Sequence, residues 1–297
     1  MSNFNCNVLN DFLKDEGYGF SVEEKEVVKN NGNLMGLSIK SYNFEDPGIV
    51  PVFYPQEDFY EYSLEEQAKK LGEILESSIS EMKDYNLDFD ELIERNNILN
   101  TVFPIVYGAE NIKNLENNKI VYSNFLDMVI VYAIPAFTSQ DGGMGTIKVN
   151  KGMLERSEIT KEELHEAALN NNKDCKKDYR IDSMLGMLIG RYQNRNVFGA
   201  SVIAIPEFLQ FAHGFYGNFY VLPSSIHEVI LIPEQDVSHR TKEQNIFEFG
   251  EMVKAVNSTV VDEKDILTNS VYYYDGTELS CVYYDEDEIC CNEEEEY

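Results

Sequence analysis

Basic side chains are scarce in this sequence. Its 297 residues include 24 lysines and arginines against 53 aspartates and glutamates, which gives a formal net charge of -29. Proteins that hold a phosphate backbone do so largely through Lys and Arg, which release counterions from it. The shortage of basic residues therefore argues against direct binding of nucleic acid and against an anionic membrane as a partner.

Cysteine and long apolar runs are also scarce. The five cysteines are odd in number and have no framework-like spacing, and no basic residues followed by an apolar stretch open the chain. The longest mostly apolar run, residues 125–137, contains Asp127 and Pro135. It is shorter than the roughly 20 residues that a helix needs to span a bilayer. We therefore expect a cytoplasmic protein with reduced thiols and no membrane segment.

The negative charge is concentrated in two parts of the chain. Residues 44–99 contain 15 acidic and four basic residues, and residues 265–297 contain 11 acidic residues and no basic one. Acidity also aids solubility without any role in binding, and that interpretation stays open. If the charge is functional, we expect binding to involve these acids: Glu65, Glu66, Glu73, Glu76, Asp88, Asp90, Glu91, Asp285, Glu286, Asp287 and Glu288.

The first 100 residues have the pattern of a small α+β unit that contains a β-hairpin. Residues 30–33, Asn-Asn-Gly-Asn, tolerate positive φ and favour a tight turn between two strands. Ser63 and Glu66 form a capping-box pattern before an apolar periodicity typical of a helix. In order, the sequence predicts a helix over 4–13, strands over 20–29, 34–40 and 52–54, a helix from 63, and a helix over 86–100.

Residues 101–275 have the pattern of a larger α+β domain, a mixed sheet with helices on its face. Capping boxes begin helices at Thr160 and Thr241, and Pro206 is tolerated in the first turn of another helix. The pattern predicts strands over 125–134, 146–149, 197–205, 219–222 and 227–232, and a loop or linker over 173–178. An acidic tail, residues 276–297, is predicted to be disordered, because its end, residues 285–297, is nearly all charge with little to bury.

The segment 223–228 gathers hydroxyl, imidazole and carboxylate groups within a few residues. In an extended chain, Ser225 and His227 point to the same face, whereas Glu228 points to the other. A serine nucleophile needs a base within hydrogen-bond reach and a third group that orients the base. A hydrolase built on Ser225 and His227 would therefore need an acid from elsewhere in the fold. The alternative is a turn followed by a strand, with no catalytic role.

Metal and phosphate sites have weak support in the sequence. Glu162, Glu163, His165 and Glu166 share a predicted helix, and His213 and His239 lie elsewhere, but the HExxH arrangement is absent. Cys281, Cys290 and Cys291 include no CxxC pair. The glycines of residues 142–145 lack the Walker A spacing and precede no helix directly. We therefore expect no metal and no cofactor, and a hairpin turn at residues 142–145.

Several strings resemble an uncharacterised protein family. The clearest is residues 222–233, Leu-Pro-Ser-Ser-Ile-His-Glu-Val-Ile-Leu-Ile-Pro, and residues 29–32, 36–39, 125–132 and 271–275 also fit. With these strings the chain resembles a domain-of-unknown-function family of clostridial gut bacteria, over about residues 25–275. The resemblance implies a setting among the accessory genes of phages and integrative elements, and it carries no established activity.

Three functional hypotheses follow. The leading one is a non-enzymatic acidic factor that binds a protein with a basic surface, as a counter-defence inhibitor would by occupying a nucleic-acid-binding site. The second is the hydrolase built on Ser225 and His227. The third is a housekeeping cytoplasmic protein that binds a small ligand. Self-association through an uncovered sheet edge is also compatible with the sequence.

Overall fold

The computed structural model describes residues 5–41, 52–55, 57–84, 89–138, 144–174, 179–184, 187–192, 197–223 and 225–283. The chain divides into two compact units, Met1–Asn97 and Ile98–Tyr297. Helices and antiparallel sheets occur in both. The predicted α+β class is therefore confirmed.

The first unit is a three-stranded antiparallel sheet with helices, in the strand order β1-β2-β3. The predicted hairpin is confirmed: Lys29 pairs with Gly32 across a two-residue turn, and Asn31 has the positive φ, 58°, that the turn requires. The helices and strands of this unit are α1 (Cys6–Asp15), β1 (Phe20–Lys29), β2 (Gly32–Ser41), β3 (Val52–Phe53), α2 (Leu64–Asp84) and α3 (Phe89–Leu92).

Apolar side chains from both helical and strand elements form the core of the first unit. Leu71 and Leu75 of α2 are buried in one cluster with Leu9 and Leu13 of α1 and Leu37 of β2. Since buried aliphatic side chains contribute about 1.5 to 3 kcal/mol each, this cluster is the main stabilising element of the unit. The apolar spacing that predicted a helix from Ser63 thus corresponds to the face of α2 that is buried in this core.

The second unit contains two antiparallel sheets. One has the order β4-β6-β5 with β7 also paired to β6, and the other has the order β13-β12-β10-β11-β9-β8. Its elements, with α4 at the division between the units, are α4 (Arg95–Thr101), β4 (Phe103–Gly108), α5 (Ile112–Asn117), β5 (Tyr122–Phe125), β6 (Met128–Thr138), β7 (Met144–Lys148), α6 (Lys151–Ser157), α7 (Lys161–Asn170), β8 (Tyr179–Met184), β9 (Met187–Tyr192), α8 (Pro206–Tyr216), β10 (Phe219–Leu222), β11 (Val229–Pro233), α9 (Lys242–Thr259), β12 (Val271–Tyr274) and β13 (Leu279–Tyr283).

The predicted strand over residues 197–205 is wrong. Phe198 has a left-handed φ of 59°, and the next six residues, Gly199–Ala204, form a buried 3₁₀ helix. A short apolar run looks the same in sequence whether it lies in a buried strand or a buried helical turn. The predicted mixed sheet is also wrong, because every strand pair within the described residues is antiparallel.

Three further boundaries differ from prediction. The helix expected over 86–100 is two short helices, α3 and α4, and residues 85–88 lie outside the described chain. The strand expected from residue 227 begins at Val229. Of the tail predicted to be disordered, residues 279–283 form β13 at the edge of the six-stranded sheet, where alternate residues find a partner in β12. Residues 284–297 lie outside the described chain.

Helix α9 covers part of the six-stranded sheet. Phe249 and Val253 of α9 are buried in one cluster with Tyr220 of β10 and Val271 and Tyr273 of β12. The Tyr220 ring meets Phe249 edge to face, with 5.1 Å between centroids, a preferred aromatic geometry. In the first turn of α9, Asn245 donates to the Val237 carbonyl just beyond β11, so the helix begins beside the end of β11.

A carboxylate joins the two sheets of the second unit. Asp127, in the turn between β5 and β6, accepts hydrogen bonds from Ser270 Oγ at 2.7 Å, Thr268 Oγ1 at 3.3 Å and Tyr272 OH at 2.5 Å. All three donors are buried. Buried hydroxyls lose their water on folding, so this shared acceptor compensates three desolvated groups at once.

Candidate functional site

The acidic residues predicted to bind a partner lie partly on α2. Glu65, Glu66, Glu73 and Glu76 are all exposed there, and Lys69 and Lys70 share the same exposed face. Lysine at i+4 from a glutamate pairs with it on a helix surface, so the two lysines reduce the negative potential of the face. The acidity of α2 is therefore weaker than the count of glutamates suggests.

Glu66 also has a structural role. Its carboxylate accepts hydrogen bonds from the Ser63 backbone N–H at 3.0 Å and from Ser63 Oγ at 2.7 Å. These hydrogen bonds lower the pKa of Glu66. The Ser63 hydroxyl in turn accepts from the Glu66 backbone N–H, which completes the predicted capping box. The Glu66 carboxylate therefore caps the N-terminus of α2.

The remaining predicted acids are distributed over two places. Asp90 and Glu91 are exposed on the one-turn helix α3. Asp88 and the tail residues Asp285, Glu286, Asp287 and Glu288 lie outside the described residues. The predicted acids that are exposed on α2 besides Glu66 are therefore Glu65, Glu73 and Glu76.

The structure brings an acid, but no nucleophile, to His227. Its Nε2 lies 3.5 Å from Asp265 Oδ1. Ser225 Oγ accepts a hydrogen bond from the His227 backbone N–H at 3.2 Å, and the buried Nδ1 of His227 has no hydrogen-bond partner among the described residues. A Ser-His-Asp mechanism needs the serine hydroxyl on one ring nitrogen and the acid on the other. The first of these two contacts is missing here.

Two of the groups considered for a metal site, Glu163 and His165, have structural partners. Glu163 completes the capping box of α7 with Thr160, and His165 Nδ1 lies 2.9 Å from the hydroxyl of Tyr132. Among the described residues, no three His, Cys, Asp or Glu side chains are grouped to hold a metal ion. Cys290, Cys291, Gly142 and Gly143 lie outside the described residues, whereas Met144 and Gly145 belong to β7.

A polar pocket lies where α8, β10, β11 and α9 meet, and we call it the α9 pocket. Its volume is about 640 Å³, within the range of small-molecule sites. Gly217 ends α8 with a φ of 68°, so the chain turns sharply into β10 at the pocket wall. The lining residues are Tyr216, Gly217, Asn218, Tyr220, Glu234, Gln235, Ser238, Arg240, Lys242 and Asn245.

Two buried polar atoms of this lining have no hydrogen-bond partner within the described chain. They are the hydroxyl of Tyr220, a residue 0% exposed, and Oδ1 of Asn245, a residue 2% exposed. The amide of Asn245 is fixed because its Nδ2 donates to the Val237 carbonyl at 3.2 Å. Native proteins leave few buried polar groups unpaired, so such a pair on a pocket wall requires an explanation.

The Tyr220 hydroxyl and the Asn245 amide are neighbours without being bonded. Burial raises the pKa of Tyr220, and the nearby Asn245 amide opposes part of that rise. Neither atom has a hydrogen bond to a described residue. Both atoms therefore retain hydrogen-bonding capacity for a ligand that reaches them.

Tyr273 of β12 links two opposite charges of the pocket. Its hydroxyl donates to Glu234 Oε2 at 3.0 Å, and Lys242 Nζ lies over its ring, 3.8 Å from the centroid. Asn218 Nδ2 donates to the same Glu234 oxygen at 3.2 Å. Burial, and then the bond to Glu234, raise the pKa of Tyr273 to about 12, so its proton stays in place at neutral pH.

The N-terminus of α9 is already satisfied by its own residues. Thr241 and Gln244 form a capping box, and the nearby Glu243 backbone N–H and Thr241 hydroxyl lower the pKa of the Glu243 carboxyl. The guanidinium of Arg240 forms an ion pair with Glu248. Lys242 lies over a ring and contacts no described carboxylate. The uncompensated positive charge of the pocket is therefore that of Lys242.

Sequence reasoning missed this pocket. Its one signal in the sequence was the capping box at Thr241, which fixes where α9 begins. Glu234, Arg240 and Lys242 look like ordinary exposed charges of a loop and a helix start. Tyr273, which links Glu234 to Lys242, comes from a strand about 30 residues further on, and no local pattern connects it with them.

The fold and the α9 pocket define an α+β protein with a polar cavity of ligand size beside a six-stranded sheet. The chain belongs to a family of proteins of unknown function, DUF5688, whose model matches residues 1–194 and 191–276. Comparison with curated proteins and with solved structures gave no match.

No helix among the described residues combines the length and the apolar character needed to cross a bilayer.

Proposed function

We propose that the second unit binds a small polar ligand in the α9 pocket, as the third hypothesis from the sequence holds. The observation that carries this proposal is the pair of buried, unpartnered polar atoms on the pocket wall, Tyr220 OH and Asn245 Oδ1. A ligand that both accepts and donates a hydrogen bond satisfies both atoms. Each buried polar group left unpaired costs about 1 to 3 kcal/mol, so pairing them favours the bound state.

The first prediction concerns thermal stability in the presence of a ligand. We expect at least one compound of a library of polar metabolites to raise the melting temperature, because a ligand that binds only the folded state stabilises it by mass action. Differential scanning fluorimetry at millimolar ligand measures the shift. Ser238 is exposed and lines the pocket, so the indole of Ser238→Trp can occupy the cavity without disturbing the core.

The shift should disappear in Ser238→Trp and remain in Glu155→Gln, an exposed change on α6, which contributes no residue to the pocket. A shift of equal size in Ser238→Trp would place the ligand elsewhere. Absence of any shift in the wild-type protein across the library would contradict the proposal itself.

We also propose that the acidic face of the first unit binds a protein with a basic surface. The supporting observation is that Glu65, Glu73 and Glu76 are exposed on one side of α2. Such a factor, in the cytoplasm of a clostridial host, would occupy the nucleic-acid-binding site of its partner, as a counter-defence protein of a phage or mobile element does. Complementary charge would speed the encounter and make it sensitive to salt.

The second prediction concerns competition with DNA. We expect a host protein captured on the immobilised chain at low salt to be released by duplex DNA, and the triple change Glu65→Lys, Glu73→Lys, Glu76→Lys to abolish capture. Glu155→Lys is the matched charge control. A captured protein that duplex DNA fails to displace, or one that the triple variant retains, would contradict this proposal. A truncation of the tail should begin at residue 284, because residues 279–283 belong to the sheet.

A further inference from the structure

We infer that the ligand of the α9 pocket is a small zwitterion of the α-amino acid type. The inference rests on the proposed binding of a small ligand and adds its chemical class. Its basis is a pair of opposite charges, Glu234 and Lys242, that line one cavity and are held by the two parts of one tyrosine side chain.

Tyr273 fixes the separation of these charges. Its hydroxyl contacts Glu234 and its ring face contacts Lys242. The distance between the carboxylate and the ammonium group is therefore shorter than one tyrosine side chain plus these two contacts. In an amino acid, the ammonium and carboxylate groups are attached to one carbon. A molecule of that kind, with one contact to each side chain, fits between them.

The carboxylate side of the pocket retains capacity for an ammonium group. Glu234 Oε2 already accepts from Tyr273 and Asn218, whereas Glu234 Oε1 accepts no hydrogen bond from a described residue. Asn245 Oδ1 is a second unpartnered acceptor in the same lining. An ammonium group carries three donors, so it satisfies both acceptors and has one donor left.

The opposite side supplies donors for a carboxylate. Lys242 presents an ammonium group held over an aromatic face. The unpartnered Tyr220 hydroxyl lies beside Asn245 and can add a hydrogen bond to either end of the ligand. Hydrogen bonds between ionised partners are about twice as strong as those between neutral groups. A ligand that makes one at each end therefore orients itself in the pocket in one direction only.

The charge of the whole chain selects further among ligands. At a net charge of -29, a ligand with net negative charge is repelled on approach, whereas a zwitterion has no net charge and meets no such cost. A purely cationic ligand is attracted from a distance but leaves Lys242 facing a like charge in the pocket. Of these three classes, the zwitterion is the one that both the distant and the local charges favour.

The third prediction is tested with the full chain by isothermal titration calorimetry. The twenty standard L-amino acids are titrated singly, and the tightest is compared with its N-acetyl derivative, its carboxamide and the doubly blocked form. We expect at least one amino acid to bind, each single block to weaken binding about tenfold to a hundredfold, and the double block to abolish it.

Two charge variants test the assignment of the ends. Glu234→Gln keeps a side-chain oxygen for Tyr273. We expect this change to lower the affinity for the free amino acid at least tenfold while leaving the affinity for the N-acetyl derivative within about twofold. Lys242→Gln should lower the affinity for the free amino acid at least tenfold while leaving the affinity for the carboxamide within about twofold. Glu155→Gln and Lys151→Gln on α6 are the matched controls, and neither should change affinity.

The outcomes separate this inference from the proposed function. Failure of all twenty amino acids to bind, or equal affinity for free and blocked forms, overturns the zwitterion assignment. If a polar compound of another class then raises the melting temperature of the wild-type protein but not of Ser238→Trp, the pocket still binds a ligand and only its class is wrong. If no compound does so, both fail.

Discussion

Replacing Asp127 with alanine is expected to lower the free energy of unfolding of the second unit by about 3 kcal/mol. The change removes the one acceptor shared by Thr268, Ser270 and Tyr272, all of which are buried. Unpaired buried hydroxyls cost about 1 to 3 kcal/mol each, and relaxation with water recovers part of the sum. Urea denaturation followed by near-ultraviolet circular dichroism measures the loss, because buried tyrosines dominate that signal in a chain without tryptophan.

A graded pair of variants supports the interpretation. Asp127→Asn keeps one acceptor oxygen, so we expect a smaller loss of about 1 kcal/mol. Asp236→Ala changes an exposed aspartate of the same unit and should be nearly neutral. If Asp127→Ala costs no more than Asp236→Ala, the carboxylate does not stabilise the contact between the two sheets.

The second unit is expected to lose stability steeply in alkali. Burial raises the pKa of Tyr132 to about 12, and burial together with Asp127 raises the pKa of Tyr272 well above its ordinary value of 10. Both hydroxyls therefore stay protonated in the folded chain after they have ionised in the unfolded chain. The stabilisation is complete below pH 10 and is lost as the pH rises toward the folded pKa values.

The expected slope follows from the number of protons retained. Each tyrosine that keeps its proton only when folded contributes about 1.4 kcal/mol per pH unit, so Tyr132 and Tyr272, with Tyr273 of the α9 pocket, together contribute roughly 3 to 4 kcal/mol per unit above pH 10. Urea denaturation at several alkaline pH values gives this slope. Tyr132→Phe should make this slope shallower. A wild-type stability that is flat above pH 10 would contradict the account.

Local features of the sequence predicted the local features of the fold. The capping boxes at Ser63, Thr160 and Thr241 begin helices because each one satisfies backbone N–H groups no more than four residues away in the chain. The turn at Asn31 similarly predicts the hairpin of β1 and β2, since only a few residue types accept its backbone angles. These signals depend on neighbours in the chain, so the sequence displays them directly.

Long-range pairing could not be predicted in the same way. Asp127 and Tyr272 are separated by 145 residues in the chain, and nothing in either segment indicates the other. The apolar run at residues 197–205 was misassigned because burial, rather than strand pairing, explains its composition. The α9 pocket combines both difficulties, since Tyr273 must be placed by sheet pairing before Glu234 and Lys242 become parts of one site.

The measurement that tests the central claim most directly is a crystal structure of the full chain grown with the amino acid that binds most tightly in calorimetry. We predict density in the α9 pocket, with the ammonium group on Glu234 and Asn245 and the carboxylate on Lys242. An empty pocket with the amino acid bound elsewhere, or not bound at all, would contradict the claim.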